Sequence, residues 1–158
     1  MNKDDFYMSQ ALREAKKAFD KDEVPVGAVI VHKGTIIARA HNQIKTLKDP
    51  TAHAEMIAIT QAANYLQNER LIDCSMYATI EPCSMCAGAM VLARIGTLIY
   101  GADDPKTGAC GSAVNITGHK KLNHKVKVKK GILAEEASFL MKEFFKKKRI
   151  SKKSGEVA

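Results

Sequence analysis

His53-Ala54-Glu55 and Pro82-Cys83-Ser84-Met85-Cys86 are the two stretches from which the rest of this chain is best interpreted. They supply one imidazole and two thiols, which are good metal ligands, together with one carboxylate that need not be a ligand. Structural zinc sites are closed by four protein ligands, whereas catalytic zinc sites keep three and leave the fourth position to water. We therefore predict a catalytic site with one Zn²⁺ per chain. Its ligands are His53, Cys83 and Cys86, and Glu55 is its general acid/base.

The spacing within these stretches supports that division of roles. Cys83 and Cys86 share one face if they lie in a helix, so both sulfurs can reach one ion. His53 belongs to a second helix, and residues 56–81 are long enough to contain a crossover that brings both helix starts to one sheet edge. Both helix N-termini then direct partial positive charge at the metal, which favours thiolates. Glu55 projects to a different side of its helix from His53 and can reach a substrate.

Alternating strand and helix patterns predict an α/β sandwich. A β-hairpin is predicted around the Lys33-Gly34 turn, and Asp49-Pro50 is expected to start the helix that carries His53, with Asp49 as its N-cap. The remaining predicted elements are strands at 75–80, 97–100 and 125–129, and helices at 6–19, 82–94 and 134–149. We expect one domain over residues 1–150 and a disordered basic tail at 151–158.

Charge is unevenly distributed along the chain, whose formal net charge is +8. Residues 1–118 carry 12 Lys and Arg against 13 Asp and Glu, while residues 119–153 carry 13 against 3. Such a basic segment indicates a polyanionic partner, with nucleic acid the usual one, although a solvated lysine-rich helix and strand is the alternative. The chain lacks an apolar run long enough to span a bilayer and an N-terminal signal core, so we expect a cytoplasmic protein.

The other cysteines and histidines have less specific interpretations. Cys74 and Cys110 are expected to be free thiols in a reducing compartment, with Cys110 in a glycine-rich loop near the site. The four remaining histidines are expected at the surface or beside RNA rather than on the metal; they are His32, His41, His119 and His124.

Several stretches resemble the bacterial tRNA-specific adenosine deaminases, which belong to the cytidine and deoxycytidylate deaminase superfamily. Besides the metal motifs, these are Glu23-Val24-Pro25-Val26-Gly27, Ala40-His41-Asn42 and Gly101-Ala102-Asp103-Asp104-Pro105-Lys106-Thr107-Gly108. The resemblance implies a three-layer sandwich, in which a five-stranded mixed sheet has helices on both faces. It also implies a zinc-dependent homodimer that hydrolyses adenosine to inosine at the wobble position of an arginine tRNA and releases ammonia.

The same resemblance implies the substrate contacts. Asn42 and the backbones of Val26 and Ala54 are expected to contact a flipped adenine base. Neighbouring anticodon-loop nucleotides are expected to meet Asp103, Asp104, Lys106, Phe144, Phe145 and Arg149. Unpaired loop bases can stack on aromatic rings and form hydrogen bonds along their edges, which such a mixture of residues allows. Ile44 and residues 113–120 depart from the common pattern of the relatives.

Two other functions remain open at this point. Deaminases of a free base, nucleoside or nucleotide share the zinc signature, but the basic C-terminal segment and residues 103–108 argue against that substrate class. A non-catalytic zinc-stabilised RNA-binding subunit is the second alternative, and the presence of Glu55 argues against it.

Overall fold

Five strands form one mixed sheet in this computed structural model, which describes residues 1–155. They are β1 (Gly27–His32), β2 (Thr35–His41), β3 (Cys74–Ile80), β4 (Thr97–Ala102) and β5 (Lys127–Lys130). Their order across the sheet is β2-β1-β3-β4-β5. β1 is antiparallel to both β2 and β3, whereas β3, β4 and β5 run parallel. The mixed five-stranded sheet expected from the sequence is confirmed.

Helices cover both faces of this sheet. They are α1 (Lys3–Asp20), α2 (Ile44–Leu47), α3 (Ala54–Leu66), α4 (Ser84–Ala93) and α5 (Ala134–Lys153). α1 contacts α5 in one layer, and α3 contacts α4 in the other. Alternate residues of β1 pack against the two helical layers, because successive side chains of a strand point to opposite faces. Val29 packs with Met8 of α1, while Ile30 joins the apolar cluster that contains Ala58 of α3.

The strand directions bring several chain segments to one edge of the sheet. β2, β3 and β4 run in the same direction, so their carboxyl ends lie at the same edge. Asn42 follows β2, Glu81 follows β3, and Asp103 follows β4. Open α/β sheets build their sites outside the carboxyl ends of such strands.

Both helices that carry metal-binding residues begin later than predicted. α3 starts at Ala54 rather than Pro50, because Asp49 forms a turn of its own. Its Oδ1 accepts hydrogen bonds from the backbone N–H and the hydroxyl of Thr51, at 2.8 and 2.7 Å. His53 is the N-cap of α3, with extended backbone angles (φ −73°, ψ 150°). Cys83 is likewise the N-cap of α4 (φ −75°, ψ 178°), rather than a residue inside it.

The C-terminal helix α5 is longer than predicted. It continues to Lys153, and so includes the first three residues of the segment expected to be a disordered tail. Lys and Arg are good helix formers, and the sequence offers neither proline nor glycine until Gly155, whose φ of +80° suits the end of a helix. Residues 156–158 of the predicted tail lie outside the described residues. Within residues 1–155, none of the helices combines the length and apolar character needed to cross a membrane.

Candidate active site

Three ligand atoms meet at the edge where β2, β3 and β4 end. His53 Nδ1 lies 3.6 Å from the sulfurs of both Cys83 and Cys86, and the three atoms all lie within 4.8 Å of one another. A tetrahedral zinc ion with bonds of about 2.0 to 2.3 Å separates its ligands by roughly 3.5 Å. The distances and the donor types therefore fit one metal ion, and Cys110 is not part of this group.

The N-cap positions explain why these side chains are available. The side chains of His53 and Cys83 make no capping hydrogen bond, so they are free to turn towards each other. Cys86 follows in the first turn of α4, and both helix N-termini face the group, where their partial positive charge favours anionic ligands. Hydrogen bonds from Cys86 and His53 lower the pKa of Cys83 to about 3. The lowered pKa favours the thiolate of Cys83, which is the form that binds metals.

Glu55 lies beside this group without belonging to it. Only 3% of the residue is exposed, and Oε1 has no hydrogen-bond partner within residues 1–155. Burial raises the pKa of the Glu55 carboxyl to about 7. A carboxyl group whose pKa lies near neutrality can both take and give a proton, which suits a general acid/base.

A cavity of about 210 Å³ opens onto these side chains. One wall comes from the segments next to β1 and β2, and the other from the segments that follow β3 and β4. The lining residues are Val24, Val26, Asn42, Ile44, His53, Glu55, Ile80, Glu81, Cys83, Asp104, Thr107 and Met141. The cavity joins the candidate metal ligands, the candidate acid/base and the predicted base-binding residue Asn42.

Asn42 is held in one orientation by backbone groups. Its Oδ1 accepts a hydrogen bond from the Ala54 N–H at 2.7 Å, and its own N–H donates to the Val26 carbonyl at 3.2 Å. No acceptor within residues 1–155 takes the Nδ2 hydrogens, and the side chain lines the cavity. The backbones of Val26 and Ala54, expected to contact a base, thus position Asn42. Direct contact between them and a base stays a prediction.

The predicted RNA-contacting acids form hydrogen bonds near their own turn. Asp103 accepts a hydrogen bond from the Tyr100 hydroxyl at 2.7 Å. Asp104 accepts from the backbone N–H of Lys106 and from the hydroxyl of Thr107, at 3.1 and 2.7 Å. Lys106 itself is exposed. These bonds shape the rim of the cavity and leave the Lys106 side chain facing solvent.

The two phenylalanines near the end of α5 differ in exposure. Phe144 is only 4% exposed and packs edge-on against Phe19, with ring centroids 6.0 Å apart. This packing makes Phe144 chiefly a core residue, although it also borders the groove that Phe145 lines, and its contact with a nucleotide stays a prediction. Phe145 is 43% exposed, and with Arg149 it lines a groove of about 440 Å³. Val24 and Ile44 line both this groove and the catalytic cavity, so the two adjoin.

The sequence motifs do not assign a role to three buried glutamates. Glu81 binds backbone groups of residues 104–112, and Glu23 accepts hydrogen bonds from the backbone N–H groups of Lys45 and Thr46. Glu14 lies 3.4 Å from Nδ1 of His41, which is buried, whereas the sequence predicts it at the surface or beside RNA. Glu81 comes directly after an apolar strand, and this position is the sequence feature that could have indicated a buried acid.

Comparison with known proteins points to one family. Residues 1–149 match the MafB19-like deaminase family. A tRNA-specific adenosine deaminase from Aquifex aeolicus (strain VF5) is 52% identical over 145 residues, which are 92% of this chain and 95% of that protein. The tRNA-specific adenosine deaminase of Bacillus subtilis (strain 168) is 46% identical over 154 residues, covering 98% and 96% of the two chains.

A solved structure gives the same indication. It comes from studies of A-to-I editing by tRNA:A34 deaminases at the wobble position of transfer RNA, and it superposes with a TM-score of 0.83 at 44% identity. The match covers 85% of this chain and 98% of that one.

Proposed function

We propose that this chain, which belongs to the tRNA-specific adenosine deaminases, hydrolyses adenosine to inosine at the wobble position of a tRNA anticodon and releases ammonia. The observation that carries the proposal is the cavity in which Glu55 lies beside the His53, Cys83 and Cys86 group. An arginine tRNA is the expected substrate, as the resemblance of the sequence implies.

Zinc is the metal that the donor set fits. One nitrogen and two sulfur ligands match the borderline-soft character of Zn²⁺ and the three protein ligands of catalytic sites. Bound zinc supplies Lewis acidity that makes water a nucleophile at neutral pH. His53, Cys83 and Cys86 would hold the ion, and one ion per chain is expected.

Glu55 is the residue that moves protons in this proposal. Its unpartnered Oε1 and its raised pKa allow it to accept a proton from the attacking water and deliver it to the amine that leaves. The replacement of the exocyclic amine by oxygen at C6 then yields inosine and ammonia. Ile80 and Met141 give part of the cavity an apolar lining.

Asn42 binds the adenine in the proposal. Because Oδ1 of Asn42 accepts a hydrogen bond from the Ala54 N–H, the Nδ2 group remains available as a donor towards the cavity. An adenine edge offers N7 as an acceptor for such a donor. An adenosine in an anticodon loop is unpaired, so it reaches the cavity at a lower cost than a base taken from a duplex.

Grooves on both sides of the cavity can receive the nucleotides next to the wobble adenosine. The groove that Phe145 and Arg149 line adjoins the Val24 and Ile44 side, while a second groove, of about 530 Å³, adjoins the side of Asp104 and Thr107. Phe145 lines both grooves, and its exposed ring suits a base that stacks. Lysines in the last third of the chain add the positive charge that attracts an RNA backbone.

A homodimer in the cytoplasm is the proposed form of the enzyme. The outer side of α4 supports the dimer, because Met85, Gly88, Ala89 and Leu92 follow helical spacing without any charge. Leu92 is 79% exposed in the single chain. Such an uncharged stripe on the surface is typical of a face that a second subunit covers.

Inosine formation in an anticodon stem-loop RNA with adenosine at the wobble position tests the proposal. Free adenosine, guanine and cytosine serve as competing substrates at equal concentration. Turnover of the RNA alone supports the proposed function. Preference for a free base or nucleoside would indicate the small-molecule alternative, and binding without turnover would indicate the non-catalytic one.

A further inference from the structure

Glu81 is a buried carboxylate between the end of β3 and the Pro82-Cys83 pair. Only 3% of the residue is exposed. It accepts hydrogen bonds from the backbone N–H groups of Asp104, Cys110 and Ser112 at 3.0, 3.0 and 3.1 Å, and a fourth from the Ser112 hydroxyl. A carboxylate is acceptor-only and has about four lone-pair sites. All four lone-pair sites of Glu81 therefore accept hydrogen bonds from one segment, residues 103–112, which we call the site loop.

The site loop is seated closely on the segment that carries Cys83. The Ala109 N–H donates to the Pro82 carbonyl at 2.9 Å, and Gly108 forms an antiparallel bridge with Cys83. A Cβ atom at Gly108 would lie 2.4 Å from the Glu81 carboxyl carbon and 2.5 Å from the Asp104 carbonyl oxygen. Glycine is therefore required there for the carboxylate to reach its donors.

The other side of the site loop faces the substrate. Asp104 and Thr107 line the catalytic cavity, and Asp103 and Lys106 line the adjoining groove. One buried carboxylate therefore connects the metal-binding segment with a wall of the substrate site.

We propose that Glu81 is a positioning residue for the deamination: it holds the site loop against the Cys83 segment, so that the RNA-facing wall is preformed. The RNA part of this inference rests on the proposed function. Glu81 is not a member of the metal-binding group. Burying a carboxylate is costly unless its hydrogen bonds are satisfied, and the site loop provides those bonds.

Replacing the carboxylate by an amide isolates this role. Glu81→Gln keeps the shape but presents an NH₂ donor where backbone N–H groups need acceptors. We expect hydrogen exchange in peptides from the site loop to become at least about tenfold faster, which corresponds to about 1.4 kcal/mol. The KM for the stem-loop RNA should rise by about tenfold, while kcat changes by less than about threefold, because the loss is one of binding.

Two further variants act on the same contact. Gly108→Ala pushes the carboxylate away from the loop side and should reproduce both effects, and the double variant with Glu81→Gln should be less than additive because the two changes disrupt one interaction. Ser112→Ala removes only the hydroxyl donor, so it keeps the test available if Glu81→Gln does not fold. Its effects should be smaller but in the same direction.

Asp4→Asn is the matched control for a loss of stability alone. Asp4 accepts hydrogen bonds from Tyr77 and Lys129, and it lines none of the grooves named above. This variant should leave site-loop exchange and KM unchanged.

The outcomes separate the two proposals. Unchanged site-loop exchange in both Glu81→Gln and Ser112→Ala, or an equal rise of KM in Asp4→Asn, would overturn the positioning role. A protein that edits no stem-loop, but whose site loop loosens in Glu81→Gln, would overturn the proposed function and support the structural half of the positioning role.

Discussion

At the scale of single residues, His53 and Glu55 obtain different roles from the same helix start. His53 is the N-cap of α3, so its backbone is extended and its side chain turns towards the two sulfurs. Glu55 is already inside the helix and is buried beside them. The separation of ligand and acid is therefore a consequence of where α3 begins.

Glu55→Ala should abolish deamination while leaving close to one zinc per chain. A general acid/base contributes about 10²- to 10⁴-fold to the rate, and the three ligands remain in place. Elemental analysis alongside an inosine assay measures both properties, and His53→Ala, which should lose metal as well as activity, is the comparison. Loss of zinc in the Glu55 variant would mean that Glu55 is a ligand.

Asn42→Asp tests the side chain that faces the base. The substitution keeps an oxygen for the Ala54 N–H but replaces the NH₂ donor by a second acceptor. Editing should fall by at least about tenfold, since an unmade buried hydrogen bond costs about 1 to 3 kcal/mol. RNA affinity should change little, because phosphate contacts dominate it. Loss of RNA binding with normal turnover at saturating RNA would show that Asn42 does not face the base.

The residues of the site were predictable in part. His53, Glu55, Cys83 and Cys86 carry spacing and side-chain chemistry that leave few interpretations, and the structure brings them together. The resemblance implies nucleotide contacts for both Phe144 and Phe145, and the sequence does not distinguish the two. The structure does, because Phe144 packs against Phe19 and is nearly buried, whereas Phe145 is exposed. Glu81 carries no motif, since its partners come from a distant loop.

Among the helices and strands, α5 carries basic side chains that differ in whether they are paired with another residue. Lys148 pairs with Asp22, and Lys147 lies over the ring of Phe19 at 5.6 Å. Lys148, Arg149 and Lys152 all line the groove next to Phe145, but within residues 1–155 Arg149 and Lys152 form no ion pair. These two are the charges best placed to meet RNA phosphates.

The double variant Arg149→Ala/Lys152→Ala should weaken stem-loop binding and flatten its salt dependence. Each lost phosphate contact reduces the magnitude of the log-log salt slope by about 0.7 to 0.9, so a reduction of up to about 1.8 is expected. Affinity at several salt concentrations measures the slope. Arg13→Ala/Lys16→Ala on α1 removes the same charge elsewhere and should leave the slope nearly unchanged. Equal slopes for the two double variants would show that the groove does not bind RNA.

Element types were easier to predict than element starts. The strand at 75–80 and the hairpin around Lys33-Gly34 follow from apolar runs and turn residues, and both occur. The start of α3 was predicted four residues too early, because Asp49-Pro50 is a good helix start that also makes a good turn. The hydroxyl of Thr51 decides between them by binding Asp49. Such a choice depends on side-chain contacts rather than on propensity.

At the scale of the whole molecule, the α4 face determines the proposed assembly. Leu92→Glu should convert a dimer to a monomer, because it places a charge in an apolar interface that excludes water. Sedimentation or light scattering measures the mass. Phe139→Glu, at another exposed apolar residue that lies on α5, is the control and should leave the dimer intact. A Leu92→Glu protein that remains dimeric would place the interface elsewhere.

Hydrolysis of the wobble adenosine can be followed directly by running the reaction in water enriched in heavy oxygen. The substrate is an anticodon stem-loop whose only adenosine is at the wobble position, and the product RNA is digested and weighed by mass spectrometry. We predict inosine that carries one heavy oxygen at C6, an equal amount of ammonia, and neither product with Glu55→Ala. Unmodified RNA, together with conversion of free guanine or cytosine by the same protein, would show that the chain deaminates a small molecule and not a tRNA.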